Sequence, residues 1–432
     1  MNTPPILNSN LSHPNPSGLQ DRKPLSRLDL GLMLGLLLLG SGLRLLWAAD
    51  MEWKADEIWM YDTARQVADG DLPWPWLGMT SSTGLQNPGL SVWLFILLAY
   101  VAETPVAMVR WVQGINIAVL WGLFGFFYWQ WPQERRSWLW GIALAAVSPL
   151  AILFSRKLWT IDLLPLFCAA ILITHTYRHR RWGALGWGLL GALVGQLHMS
   201  GFFLATALFL WTVYHDHRQH ILAQTRWLSW AAGTVLGLIP FVPWLIYAAS
   251  ADNQAARSWV GLLVPKYFAH WFTTALGVNM SYSLGRYFWS DFLPQPILGG
   301  HPTYLIALVH GVLILLGLWY GLSWVRSMPR PIHTLRTPIP HPLGFYGQSF
   351  GWITGLIFTL FALNIPVHYV FIGFPMMYVW LASVLAPYRR PWFLLLAGQV
   401  VISVAFLAFI HTTGGFADAD YGVVYRLQMP NP

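Results

Sequence analysis

Apolar positions in this chain fall into long, nearly continuous runs, separated by short polar or basic segments. The runs cover about Leu30–Ala49, Gly89–Ala102, Pro105–Trp129, Trp138–Phe154, Leu158–Tyr177, Gly183–Leu197, Gly201–Tyr214, Trp227–Ala249, Thr303–Val325, Phe350–Asn364, Val367–Ala386 and Trp392–Ile410. A crossing of the bilayer core takes about 20 apolar residues, so these runs predict transmembrane helices. Gly89–Ala102 is the exception, because at 1.5 Å per residue it reaches only about 21 Å of the roughly 30 Å core.

Charge parity decides that case. With Gly89–Ala102 lying in the interface, the basic loops Arg135/Arg136, Arg178–Arg181, Arg218/Arg226, Arg326–Arg336 and Arg389/Arg390 all fall on the cytoplasmic side. If it crosses, all five fall outside, against the positive-inside rule. The pattern therefore predicts eleven crossing helices, with the N-terminus inside and the C-terminus outside. The parity depends on a break at His198–Ser200. The first run is too long for the 7–15-residue core of a signal peptide, so it reads as a retained helix. The expected fold is all-α and polytopic. A disordered cytoplasmic tail, 1–28, carries Arg22, Lys23 and Arg27 and precedes a single transmembrane domain, 29–432. Its two sizeable outer loops are 50–104, with two juxtamembrane helices, and 250–302.

Composition agrees: 56% of residues are hydrophobic and 10% charged, against roughly 25% charged in soluble proteins. Mean hydropathy is +0.49. A soluble enzyme, a disordered chain and a disulfide scaffold are excluded. Net charge is 25 − 17 = +8. In a membrane protein that balance reflects loop anchors and implies no nucleic-acid partner. The single cysteine, Cys168, leaves no internal disulfide and reads as packing. Most of the 27 Trp suit interfacial belts. No P-loop, G-x-S-x-G, H-E-x-x-H or Rossmann fingerprint occurs, which speaks against ATP-driven transport within the chain. No internal repeat is evident.

Chemistry concentrates at three outer turns. The first is Ala55-Asp56-Glu57-Ile58-Trp59-Met60-Tyr61-Asp62-Thr63-Ala64-Arg65, within the acidic stretch Asp50–Asn87. Ile58, Tyr61, Ala64 and Ala68 recur at helical spacing and predict an amphipathic helix on the membrane. Asp56 and Glu57 at its start fit an N-cap, a general base for a hydroxyl or amine, or, with Asp62, hard ligands for a divalent cation. No spacing here is specific for a metal. The second turn, Ser155-Arg156-Lys157-Leu158-Trp159-Thr160-Ile161-Asp162, places two cations on the outer side, where they need an anionic partner; a local salt bridge with an N-cap explains them equally. The third, Asn364-Ile365-Pro366-Val367-His368-Tyr369, offers phosphate donors or an aromatic belt. His198 reads as a structural hydrogen bond. Arg44 and Arg110 could snorkel or face a cavity. In 250–302, Lys266, His270 and Arg286 interleave with Trp259, Tyr267, Phe268, Trp271, Tyr287 and Trp289, as a lid over a headgroup or as an interfacial helix.

Together these motifs resemble the GT-C superfamily of polytopic glycosyltransferases, above all aminoarabinose transferases and protein O-mannosyltransferases. Asp56-Glu57 matches the family's acidic pair after the first span, followed at the family's spacing by Asp62, Ala64 and Arg65. Asn87-Pro88-Gly89-Leu90-Ser91-Val92-Trp93 is similar to its Pro-containing aromatic segment. Ser148-Pro149 through Arg156 to Asp162 looks like its next shared block, and His368-Tyr369 with Pro375 resembles its late lipid-phosphate block. The chain departs in Gln86-Asn87-Pro88-Gly89, where relatives carry Pro-Pro, and in His368, where arginine is common.

The resemblance implies an inverting transfer of sugar from a polyprenyl-phosphate donor to a lipid, glycan or protein acceptor at the extracytoplasmic face. Asp56 would be the general base, with Glu57 and Asp162 orienting it or the acceptor. Arg65, Arg156, Lys157, His368 and Tyr369 would hold the phosphate, with Asp62 and His198 near the substrate. No organic cofactor is implied, and a divalent cation is left open. Two rival classes are a transporter or flippase of a polyprenyl conjugate, which needs no base, and a membrane subunit without chemistry.

Overall fold

The computed structural model describes residues 25–81, 84–250, 262, 265–327, 341–363 and 365–429. Most of the tail 1–28, most of the basic loop 326–336, Trp259 and Asn364 lie outside them.

Helix α1 (Arg27–Leu45) starts three residues before its apolar run. Ser26 caps it, its Oγ accepting the Asp29 N–H at 3.0 Å, and so satisfies one orphan donor of the first turn. Next come α2 (Ala55–Asp69), a hairpin of β1 (Leu77–Thr80) and β2 (Gln86–Pro88), and α3 (Leu90–Ala99). The two short helices expected between the first crossings are thus present, packed on each other. Thr104 and Pro105 open α4 (Pro105–Gln130), where a missing N–H costs nothing. The chain continues through α5 (Arg135–Val147), α6 (Pro149–Leu153), α7 (Leu164–Thr176), α8 (Arg181–Leu197), α9 (Gly201–Arg218), α10 (Trp227–Leu238), α11 (Val242–Ser250), α12 (Lys266–Leu276), α13 (Leu305–Ser327), α14 (Thr354–Leu360), α15 (Met376–Leu385) and α16 (Arg389–Thr413). Sheet among the described residues is limited to two-stranded ribbons, so the fold is all-α. The break at His198–Ser200, between α8 and α9, lies where the sequence placed it.

By length and composition five segments can cross a membrane: Arg27–Leu45, Pro105–Gln130, Trp227–Ser250, Leu305–Leu322 and Arg389–Thr413. A sixth is added if Val367–Gly373 and α15, bent by 79°, count as one. The other expected crossings are shorter or interrupted. Helix α7, with 13 residues, rises only about 20 Å. Leu228, Ile246, Leu308 and Leu315 are exposed, as lipid-facing positions of a membrane protein are. The 250–302 segment is less peripheral than a lid: α12 buries Tyr267 and Trp271 and packs on Val367–Gly373 and α15.

Helix α5 is the centre of the molecule, buried from Ser137 to Val147. Pro149 interrupts it, and proline has no N–H to give to the carbonyl four residues back. Other helices supply the donors. Arg44 Nη2 donates to Ala145 O at 3.3 Å and Nη1 to Ala146 O at 2.5 Å, and Ser403 Oγ donates to Val147 O at 2.8 Å. Gly40 allows this approach, because a Cβ there would lie 2.2 Å from Ala146 O. Arg44 therefore neither snorkels nor faces a cavity. Helices α8 and α10 meet through glycine: a Cβ on Gly188 would lie 2.1 Å from Trp230 O, and one on Gly233 2.0 Å from Leu185 O. Without a hydrophobic drive in lipid, such backbone proximity is how helices associate.

The basic turns gather at one end. Asp29 faces Arg136 at 3.7 Å and Arg389 at 3.8 Å. Arg178 pairs with Asp216 at 2.9 Å, and its carbonyl accepts the Arg226 N–H at 3.2 Å. At the other end of α1 and α5 lie the acidic helix α2 and the turns 154–162 and 198–200.

Candidate functional site

The apolar stripe of α2 was expected along Ile58, Tyr61, Ala64 and Ala68. The buried residues are instead Glu57, Met60, Ala64 and Val67, a regular i, i+3, i+4 face. This rotation turns Glu57 inward, leaves Asp56 half-buried, and exposes Asp62. At 100° per residue, Asp62 lies about 140° around the helix from Glu57, so the three carboxylates do not converge. Among the described residues no group of three or more His, Cys, Asp or Glu side chains is placed to hold a metal.

Lys157 is the hub. Its side chain is 2% exposed, and its ammonium contacts Glu52 Oε2; Glu52 is fully buried. The ammonium also lies over three rings: Phe154 at 5.3 Å, Trp159 at 5.6 Å and Tyr421 at 5.9 Å. Burial disfavours its charge, but Glu52, Glu57 and Asp420 outweigh that and hold its pKa above the usual lysine value. Glu52 Oε1 takes a second cation, Lys54, at 2.8 Å, and Lys54 also faces Asp420 at 3.6 Å. Asp162 accepts the Lys157 backbone N–H at 2.9 Å, and its own carbonyl is held by Asn116 Nδ2 at 2.8 Å. The local salt bridge considered for this turn does not involve Asp162, whose carboxylate takes the backbone N–H.

Burial pushes Glu57 well above the usual carboxylate range, and the charge of Glu52 adds to this, against the pull of Lys157, a backbone N–H and Lys54. Glu57 Oε2 and Asp162 Oδ1 are buried without a partner. Asp56 has no hydrogen bond or ion pair among the described residues and stands near enough to Tyr282 to act on its charge.

A second group borders Lys157 across Trp159. The ring of His368 lies 4.7 Å from that of Trp159, and its Nδ1 is 2.9 Å from Tyr282 Oη. His198 sits 5.9 Å from His368 and 4.8 Å from Tyr369, centroid to centroid. The fold thus brings Asp56, Glu57, Lys157, Asp162, His198, His368 and Tyr369 to one end of the molecule.

Three predicted residues stand apart: the exposed Asp62, and Arg156 and Arg65. Arg156 Nη1 donates to the carbonyls of Leu43 at 3.1 Å and Arg44 at 2.9 Å, and to Leu46; its Nη2 donates to Trp47 at 2.8 Å. It caps the C-terminus of α1 through the last-turn carbonyls of Leu43 and Arg44 and holds those of Leu46 and Trp47 just beyond it. Arg65 pairs with Asp69 and donates to Ala99 O at 2.8 Å, tying α2 to α3. Arg110 is exposed and donates to Leu45 O at 2.6 Å.

Sequence reasoning passed over Glu52, Tyr282, Asp420 and Tyr421. The last two belong to residues after α16, which fold back over 47–54. Tyr421 Oη donates to Asp50 O at 2.6 Å, the Tyr425 N–H to Met51 O at 3.0 Å, and Gln428 Nε2 to Trp53 O at 2.6 Å. Asp50 itself binds His411 at 2.6 Å and Arg426. The available signal was parity: it put Ala417-Asp418-Ala419-Asp420-Tyr421 on the same side as Asp50–Asn87. In comparisons with protein-family models, curated proteins and solved structures, nothing matches the chain.

Proposed function

We propose that this membrane protein is an inverting glycosyltransferase that moves a sugar from a polyprenyl-phosphate donor to a lipid, glycan or protein acceptor. The observation that carries the reading is that one end of the helices holds the Lys157 ammonium, the donor-bearing His198, His368 and Tyr369, and Asp56, a carboxylate without a side-chain partner among the described residues. Asp56 takes the proton of the acceptor hydroxyl or amine as that atom attacks the sugar carbon. The bond from sugar to phosphate breaks on the opposite face, and the phosphate leaves with the bonding pair. Lys157 and the histidines stabilise the charge that develops there. Glu57, whose buried carboxyl is pushed above the usual carboxylate range, and Asp162 orient the acceptor. Arg156 and Arg65 act on the scaffold and leave the phosphate to Lys157.

The same reading takes the GT-C architecture with eleven crossings, some of them short. The end bearing Arg136, Arg178, Arg226 and Arg389 is then cytoplasmic and the site extracytoplasmic, as the positive-inside rule requires. The test supplies a labelled mixture of polyprenyl-phosphate sugars to membranes holding wild type or Asp56→Asn at matched folded levels. Wild type should consume one donor and the variant should lose at least 100-fold in turnover. Equal consumption would remove Asp56 as base. No consumption by either would favour a transporter of such conjugates.

A further inference from the structure

Three arginines at the end opposite α2 are left without a carboxylate among the described residues. The acids at that end are Asp29, Glu134 and Asp216, and each is engaged. Asp29 faces Arg136 and Arg389. Glu134 accepts the Leu343 N–H at 3.0 Å and the Trp138 indole N–H at 3.3 Å. Asp216 accepts from Arg178 Nε at 3.1 Å, Arg178 Nη2 at 2.9 Å and the Thr225 hydroxyl at 3.1 Å, with His215 Nδ1 also at 3.1 Å. Arg180, Arg181 and Arg226 are exposed. Arg181 and Arg226 make no ion pair or side-chain hydrogen bond among the described residues, and Arg180 meets only the Tyr177 ring, at 5.8 Å. The three stand on two turns that the backbone ties together, the Arg226 N–H donating to Arg178 O at 3.2 Å. Those turns lead into α8 and α10, whose first turns hold no acidic residue. The two helices run side by side in the same direction, since Gly233 packs on Leu185 and Leu189 and Gly237 on Leu189 and Ala192. The residues next to the arginines are apolar and face outward: Trp182 is 51% and Leu228 90% exposed. Helix α10 buries only Gly233 and Gly237, so most of its surface is left to lipid.

We propose that Arg180, Arg181 and Arg226 bind the headgroup of an anionic phospholipid whose acyl chains lie along α10. The patch is at the other end of the molecule from Asp56 and Lys157, so the inference stands apart from the transferase reading. Two features select the occupant. Guanidinium groups with no carboxylate beside them demand an anion, and their planar N–H pairs match phosphate oxygens. The exposed apolar surface that begins at Trp182 and Leu228 demands hydrocarbon. A soluble phosphate supplies only the first. A zwitterionic phospholipid brings its own cation to a place that already holds three. An anionic phospholipid supplies both, and basic groups at a membrane surface attract such lipids.

Binding is read on purified full-length protein in detergent, by native mass spectrometry and by thermal shift. The probes are phosphatidylglycerol, phosphatidylcholine with the same acyl chains, and water-soluble glycerol phosphate. Each arginine at a membrane surface adds about fivefold to the binding of an anionic lipid. Wild type should therefore bind phosphatidylglycerol at least tenfold more tightly than phosphatidylcholine. Arg180→Gln/Arg181→Gln/Arg226→Gln should bring the two lipids within about twofold, with unchanged melting temperature in lipid-free detergent. Arg181→Gln alone should lose about threefold to fivefold, which keeps the test open if the triple variant folds poorly. Arg390→Gln removes one exposed charge from the same end but outside the patch, and should keep the wild-type preference. A preference that survives in the triple variant would overturn the proposal. Equal losses in Arg181→Gln and Arg390→Gln would also overturn it, because the attraction would then be diffuse. Stabilisation by glycerol phosphate equal to that by phosphatidylglycerol would replace the lipid by a soluble anion and so refute it.

Discussion

Replacing Glu52 by glutamine keeps shape and removes one charge from a sealed place. The ammonium of Lys157, 2% exposed, would lose the one carboxylate that pairs with it among the described residues. Stripping one partner from a buried ion pair costs about 3–5 kcal/mol, because the remaining charge stays desolvated. The rings of Phe154, Trp159 and Tyr421, at 5.3, 5.6 and 5.9 Å, soften this by about 1–2 kcal/mol. Lys54 is 37% exposed, so losing its ionic contact adds only about 0–1 kcal/mol. The balance is a loss of about 3 kcal/mol, a factor of roughly 100 in the unfolding constant. The assay is denaturant unfolding in detergent followed by Trp fluorescence. Glu52→Gln should be destabilised by that amount, and Glu52→Gln/Lys157→Met should recover most of it, because no unpaired charge is then buried. A single variant within 0.5 kcal/mol of wild type, or a double variant no more stable than the single, would refute the account.

Glu57 binds its proton more tightly folded than unfolded, because burial and Glu52 raise its pKa. Its contribution to stability is complete below the unfolded pKa of about 4.3 and is lost as pH rises through the folded value. Glu57→Gln should therefore flatten the fall of stability with rising pH; an unchanged slope in unfolding midpoints from pH 4 to 9 counts against it. Arg156→Lys keeps the charge but offers a single ammonium to four carbonyls, and should lose about 2–3 kcal/mol of stability with the donor affinity of surviving protein unchanged; reduced affinity at full stability would return Arg156 to the phosphate. Gly233→Val forces a side chain into the Leu185 carbonyl, 2.0 Å from the added Cβ, and should cost at least about 3 kcal/mol; wild-type folded yield in a fluorescence-detected size-exclusion profile would contradict that packing.

Membrane character and helix class follow from runs of apolar residues, since the bilayer imposes the same rule at every position. Local signals were also legible: the His198–Ser200 break and the short helix after Gly89. The site was legible in outline. Asp56, Glu57, Lys157, Asp162, His198, His368 and Tyr369 come together, although spread over more than 300 positions.

What the sequence could not fix is the partner of each charge. Arg156 and Lys157 are neighbours with the same local signal, yet one caps α1 and the other is caged beside Glu52. Glu57 rather than Asp56 faces inward because the stripe that packs on the core runs through Met60 and Val67. Length alone did not show the break inside the Trp138–Phe154 run, where Pro149 interrupts the helix and Arg44 and Ser403 from other helices supply the missing donors. The sequence by itself determined a helical membrane protein with its acidic and histidine turns on one side. Only the tertiary structure decided how each cation is held, because a charge in a water-poor interior is settled by contacts between segments far apart in the chain.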